Sequence, residues 1–234
     1  MNKIILVFLL KSIMTFAQTE FNTLDENGKK HGVWKGFFEE SKRVRYQGTF
    51  EHGQEVGVFN YFDDTKEAPI IGTRIFNPKD NSVYTTFFDQ KKNIVSEGRS
   101  IGKLKEGVWK YYHENSNIIM TIENYKTDQL QGKRTVFYKN GAIAEEINYT
   151  NGYKNGIYKS YTEKGIVLES SIYKNNELDG LAIYRDSRNF LVTQGLYKDG
   201  KKIGIWNFYK DGKFESKTNF NFQGKKFEKR KNKV

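Results

Sequence analysis

A glycine followed by aromatic residues two and five positions later recurs along this chain at nearly constant spacing. The glycines are Gly32, Gly57, Gly107, Gly132, Gly156, Gly180 and Gly204, separated by 25, 50, 25, 24, 24 and 24 residues. The double interval predicts a further copy at Ser82, where Ser82-Val83-Tyr84-Thr85-Thr86-Phe87-Phe88 takes the place of Gly32-Val33-Trp34-Lys35-Gly36-Phe37-Phe38. Eight copies result. A fixed period of ~20–50 residues marks a repeat architecture, in which each unit buries its apolar face against its neighbours.

The pattern inside a copy predicts strand, turn, strand, turn. Two residues after the anchor stand Trp34, Phe59, Tyr84, Trp109, Arg134, Tyr158, Ala182 and Trp206; five after it stand Phe37, Phe62, Phe87, Tyr112, Phe137, Tyr161, Arg185 and Tyr209. A turn such as Lys139-Asn140-Gly141 follows, and a second strand runs to Tyr125, Tyr149, Tyr173 or Tyr197. Asn151-Gly152 and Asp199-Gly200 then lead to the next anchor, and Asn-Gly and Asp-Gly are strong hairpin signals because both residues tolerate positive φ. Helices fit poorly, since two glycines per copy would cost about 1 kcal/mol each in a helix interior. The predicted fold is all-β: a single elongated antiparallel sheet of about eight stacked hairpins with a 24–25 residue period. Sixteen strands at about 4.8 Å each would extend roughly 75 Å.

Composition agrees with strands. Aromatics make up 15% of the 234 residues while total hydrophobicity is 37%, so the apolar content sits in rings. Twenty-one glycines against two prolines suit tight turns better than a disordered linker. The first 17 residues differ. A basic start ending at Lys3, the apolar run Ile4 to Leu10 and the small-residue ending Thr15-Phe16-Ala17 read as a secretory signal peptide, although Lys11 interrupts the run. The expected division is therefore 1–17 signal peptide, 18–224 repeat domain and 225–234 basic tail. Its expected location is exported: periplasmic, outer-surface or extracellular.

The net charge of +11 shrinks once it is located. Residues 1–17 hold +2 and the tail +5, which leaves +4 on residues 18–224. Export and this near-balance argue against a nucleic-acid partner. The absence of cysteine excludes disulfides, thiol nucleophiles and zinc–thiolate sites. The basic tail is expected to protect the edge of a terminal strand around Phe220-Asn221-Phe222, since lysines discourage another chain from adding there.

The core Gly-x-x-x-Gly-x-Trp/Tyr-x-x-Tyr with Asn/Asp-Gly turns, as in Gly152 to Tyr161 and Gly200 to Tyr209, resembles the MORN-repeat variant family, which includes YwqK-type antitoxin-like repeat proteins. The resemblance spans roughly residues 25–224 and departs at Ser82, Arg134 and Ala182. It implies an extended sheet of hairpins that binds proteins or membrane lipids without catalysis. The antitoxin type implies neutralising a cognate toxin by contact.

Candidate chemistry is sparse. His31, His52 and His113 occupy different repeat positions and are expected to stay apart, so no metal or catalytic role is assigned. Glu39-Glu40 and Asp63-Asp64 fall in turns and read as solvated carboxylates rather than an acid/base pair. No cofactor is implied. Structural roles fall to Gly32, Trp34, Gly57, Phe59, Gly107, Trp109, Gly132, Gly156, Tyr158, Gly180, Gly204 and Trp206. A binding ladder of aromatic and basic side chains on one edge is expected from Tyr125-Lys126, Tyr173-Lys174 and Tyr197-Lys198. Such a ladder would hold an acidic protein, an anionic envelope glycan or a lipid surface. A protein partner is the leading expectation.

Overall fold

In a computed structural model of the chain, residues 21–222 are described; the signal-peptide and basic-tail assignments lie outside them. The described residues form one antiparallel sheet of twenty strands. Sixteen of these make eight successive hairpins, from Lys30–Phe37 with Val44–Glu51 to Lys201–Lys210 with Lys213–Asn219; the other four are two-residue strands. Each long strand pairs with the long strands before and after it, and among the described residues no pairing joins the first strand to the last, so the sheet is open.

The anchor glycines set the junction between hairpins. All seven have positive φ. Gln47 pairs with Asn60 and Thr49 with Val56, so two residue steps on one strand face four on the next, and Gly57 lies in the excess. The same two-residue excess recurs before Gly107, Gly132, Gly156, Gly180 and Gly204. It makes a bulge that raises the local twist. Three of the two-residue strands, Gln129–Leu130, Tyr153–Lys154 and Glu177–Leu178, are the pieces cut off by these bulges.

The predicted eighth copy exists, but one residue further along than its spacing implied. Val83 pairs with Ser100 as Gly32 pairs with Phe50, Thr85 faces Gly98 as Trp34 faces Gly48, and Phe88 meets Ile94 as Phe37 meets Val44. The anchor's place is thus taken by Val83, not Ser82, and Trp34's by Thr85, not Tyr84. A β-branched valine resists positive φ. No bulge forms here: six consecutive pairs run unbroken from Gly72–Phe87 to Asn77–Ser82.

The two edges along the repeats are stitched separately. At one, the turn amides of Gly53, Asp128, Gly152, Asn176 and Gly200 donate to the carbonyls of Lys30, Lys105, Leu130, Lys154 and Leu178, each two residues before an anchor. At the other, side chains reach one repeat onward, as in Arg188 to Asp211 and Tyr138 to the Tyr161 carbonyl. The carboxylate pair Asp63-Asp64 belongs to this edge: Asp63 accepts from Gln90, and Asp64 from Ser41 and Arg43. The terminal segment Phe220–Phe222 is a 3-10 turn rather than the expected strand, and the Asn221 side chain accepts a hydrogen bond from the Gly204 amide.

Candidate functional site

Side chains alternate along each strand, giving the sheet an aromatic face and an aliphatic face. The residue two after each anchor lies on the aromatic face. Phe59 and Trp206 are fully buried, Trp109 nearly so, and Trp34 and Tyr158 half-buried. Each tryptophan lies back over the preceding strand, its indole N–H donating to the carbonyl of Thr23, Arg99 or Leu196. That position must be nearly empty of side chain. A Cβ added to Gly48, Gly98 or Gly195 would sit 2.4, 2.3 or 2.3 Å from the ring of Phe59, Trp109 or Trp206. These glycines, each eleven residues before its aromatic partner, were missed because only the anchor was followed.

The same offset explains two departures from the pattern. Eleven residues before Arg134 stands Glu123, whose carboxylate accepts from Arg134 Nε at 3.0 Å and from the Tyr125 hydroxyl at 2.6 Å. Eleven before Ala182 stands Ser171, and these two small side chains are both buried. In these five units the pair is complementary in size or charge, whereas the half-buried Tyr158 stands opposite the buried Ile147.

Lysines two residues before the anchor cap this face. Lys30 Nζ lies 4.6 Å from the Trp34 ring centre, Lys105 4.8 Å from Trp109, Lys154 5.1 Å from Tyr173 and Lys202 4.2 Å from Trp206. Such cation–π contacts are worth roughly 0.5–2 kcal/mol, depending on desolvation. Burial is the largest influence on the tyrosines. It pushes Tyr158 up to about 12 and, with the Glu146 hydrogen bond, Tyr161 up to about 12. Tyr125 is raised further by burial and then by its bond to Glu123. These hydroxyls are neutral donors at physiological pH.

The predicted Tyr–Lys ladder is divided between the faces. Tyr125, Tyr173 and Tyr197 are half-buried on the aromatic face, while the adjacent Lys126, Lys174 and Lys198 are exposed on the other side. Lys198 is paired with Asp179 at 2.7 Å, which raises its pKa. On that side Lys174 and Lys198 lie two residues beyond Ile172 and Leu196 and border the aliphatic row, whereas Lys126 lies two beyond the polar Asn124. Ile157 faces Ile172, Leu181 faces Leu196, and Leu196 leads on to Ile203 and Ile205. Ile157, Ile172, Leu181, Leu196 and Ile205 are 38–54% exposed.

Two histidines do meet. The first hairpin folds the Glu51–Gln54 turn back beside strand Lys30–Phe37, which puts the His31 and His52 rings 4.9 Å apart. His52 Nδ1 is 2.7 Å from Asp25, whose pKa is lowered chiefly by the Lys29 amide and then by His52. His113 donates to the Phe137 carbonyl in the next unit. No cluster of three metal-ligating side chains occurs among the described residues.

A concavity lies on the aromatic face over the bulge-free unit. It encloses about 650 Å³ between Tyr61 and Arg74 on one side and Lys105, Trp109 and Tyr111 on the other.

The family model described as MORN repeat variant matches residues 105–127, 130–151 and 154–175. Three consecutive units of this chain are thus similar to the MORN repeat variant. No curated protein matches the chain. Among solved structures, a point mutant of Staphylococcus aureus TarM, in complex with fondaparinux, alpha-GlcNAc-glycerol and UDP, is similar over 47% of this chain and 21% of that one, at 14% identity and a TM-score of 0.31. A Bacteroides fragilis protein of unknown function is similar over 74% and 96% of the two chains, at 9% identity and a TM-score of 0.13. Neither likeness bears on fold or function at such scores.

Proposed function

We propose, from the premise that three units of the chain are similar to the MORN repeat variant, that it is an exported, non-catalytic scaffold that docks a protein partner on its aliphatic face. MORN repeats are commonly involved in protein or membrane binding. The observation that carries the reading is the exposed row Ile157, Ile172, Leu181, Leu196 and Ile205, which runs through the last three hairpins and across the two junctions between them. Contiguous apolar surface of this kind is uncommon on soluble monomers and marks interaction sites. Lys159 and Lys174, each two residues beyond a member of the row, border it, so the fitting partner presents an apolar strip edged by acidic side chains. Rim charges of this sort act mainly on association rate and its salt dependence.

The test is capture by the mature chain from its own cells, run beside Leu181→Asp and Lys174→Glu. Leu181 is exposed, so the charge does not enter the core. A single identified protein that is retained by the wild type, lost with Leu181→Asp and eluted earlier in salt with Lys174→Glu is the expected result. Equal retention by all three forms refutes the docking face. Should the captured protein be a small toxin, the scaffold is an antitoxin-like neutraliser. N-terminal sequencing of the mature chain, expected to begin at Gln18, tests export.

A further inference from the structure

The cleft on the aromatic face arises from a skipped beat in the repeat. Strands bearing the residue two after the anchor are two strand spacings apart, about 10 Å, as Trp34 and Phe59 are. Between Phe59 and Trp109 the interval is four spacings, about 19 Å, because Thr85 stands where a ring would be. Most of the intervening floor is equally small: Gly72, Ser96, Gly98 and Ser100 share that face with Thr85 and all five are buried, while Phe87, two residues beyond Thr85, is the one ring these strands add to the lining. A second small residue, Ala182, leaves no such space, because Trp206 and Tyr184 stack beside it at 6.4 Å. The missing ring alone does not make the cleft; the missing bulge and the run of small residues on three adjacent strands do.

We propose that this cleft binds an acidic sugar: a pyranose ring carrying one carboxylate or phosphate. Its volume of about 650 Å³ suits a small ligand. Half-buried Tyr61 on one wall and half-buried Tyr111 on the other offer aromatic surface against which the C–H face of a pyranose can lie, while Trp109, nearly fully buried, adds little. The hydroxyls of Thr85, Ser96 and Ser100 form a floor that donates and accepts hydrogen bonds, which suits a polyhydroxylated ring and penalises a purely apolar ligand. Around the opening, Arg74, Lys103 and Lys105 outnumber the single carboxylate, Asp128. Glu97 and Glu106, each adjacent in sequence to a lining residue, are engaged elsewhere, Glu97 on the opposite face by Lys110 and the Tyr112 hydroxyl and Glu106 by the Thr127 amide. Arg74 is held over the Phe76 ring at 4.9 Å and only loosely by Glu55 at 3.9 Å, so its fork is available to a carboxylate. This site is separate from the aliphatic docking face, and the two readings stand or fall apart.

The experiment titrates the full mature chain with glucuronate, glucose 6-phosphate and glucose, followed by NMR of the indole and Arg side-chain signals. Three variants are compared: Thr85→Trp, Arg74→Met and, as control, Leu181→Asp. Glucuronate or glucose 6-phosphate is expected to bind at least tenfold tighter than glucose, and whichever is tighter identifies the acidic group. Thr85→Trp supplies the ring present in other units and should abolish binding of all three, with native-like hydrogen-exchange protection as evidence of folding. Arg74→Met should remove the preference for the acid, bringing it within about twofold of glucose. Leu181→Asp should change nothing. Undiminished binding in Thr85→Trp, no binding of either acid to the wild type, or equal affinity for glucose and both acids overturns the proposal.

Discussion

Truncating Trp206 and filling the space beneath it should not be independent perturbations. The indole is fully buried, stacks on Tyr184, meets Tyr197 at 5.0 Å and Phe220 at 6.2 Å, and donates to the Leu196 carbonyl at 3.1 Å. Trp206→Ala is therefore expected to cost about 3–5 kcal/mol in the last two units, the range for deleting a buried large aromatic. Gly195→Ala places a Cβ 2.3 Å from the same ring, an overpacking that costs about 1–3 kcal/mol. In the double mutant the collision is gone, so the cost of Gly195→Ala should vanish. The coupling between the two sites is then about 1–3 kcal/mol, well above the few tenths expected of independent positions. Because a chain of repeats opens locally, the assay is native-state hydrogen exchange of the Lys201–Lys210 amides rather than a global melt. Additive costs within about 0.5 kcal/mol would refute the account of ring-over-glycine packing.

Three further outcomes follow from the same geometry. At Gly204 a Cβ meets no atom within 4 Å, so the penalty of substitution is conformational: Gly204→Val should destabilise the last hairpin by about 1–2 kcal/mol or more and Gly204→Asn by much less, read by limited proteolysis of the C-terminal third. Glu123→Gln should destabilise the fourth and fifth units while leaving the rest unchanged, because it leaves the half-buried Arg134 without its nearest counter-charge; exchange of the Gly132–Phe137 amides would show this, and unaltered protection there would contradict it. Burial raises Tyr112, Tyr158 and Tyr161 to about 12, so their contribution is complete below about pH 10 and is lost as pH climbs from there through about 12. Tyrosine absorbance and far-UV circular dichroism should change together in that window, and ionisation near pH 10 without loss of structure would contradict the burial.

The spacing of Gly32, Gly57, Gly107, Gly132, Gly156, Gly180 and Gly204 determined the fold class, the hairpin count and most of the register, because a local conformational demand repeated in phase is written directly into the chain. It could not place the third unit, where Val83 substitutes for the anchor and shifts the strand by one residue. Whether a bulge forms is decided by pairing with the neighbouring strand, and spacing alone does not reveal it. The glycines under the rings, at Gly48, Gly98 and Gly195, were present as an eleven-residue offset, but their meaning depends on an indole lying back across a strand.

Tertiary structure alone decided which residues share a surface. Adjacent residues such as Tyr173 and Lys174 looked like one recognition pair, and strand alternation sends them to opposite faces. Lysines two residues before an anchor, which looked unremarkable in the sequence, cap the aromatic rings instead. His31 and His52 hold different positions in the repeat, yet the first hairpin brings their rings together. The cleft is legible in no single residue, since it is made by what three neighbouring strands lack. A periodic sequence fixes what recurs, whereas an empty space depends on the relative positions of non-recurring residues, which only the paired sheet sets.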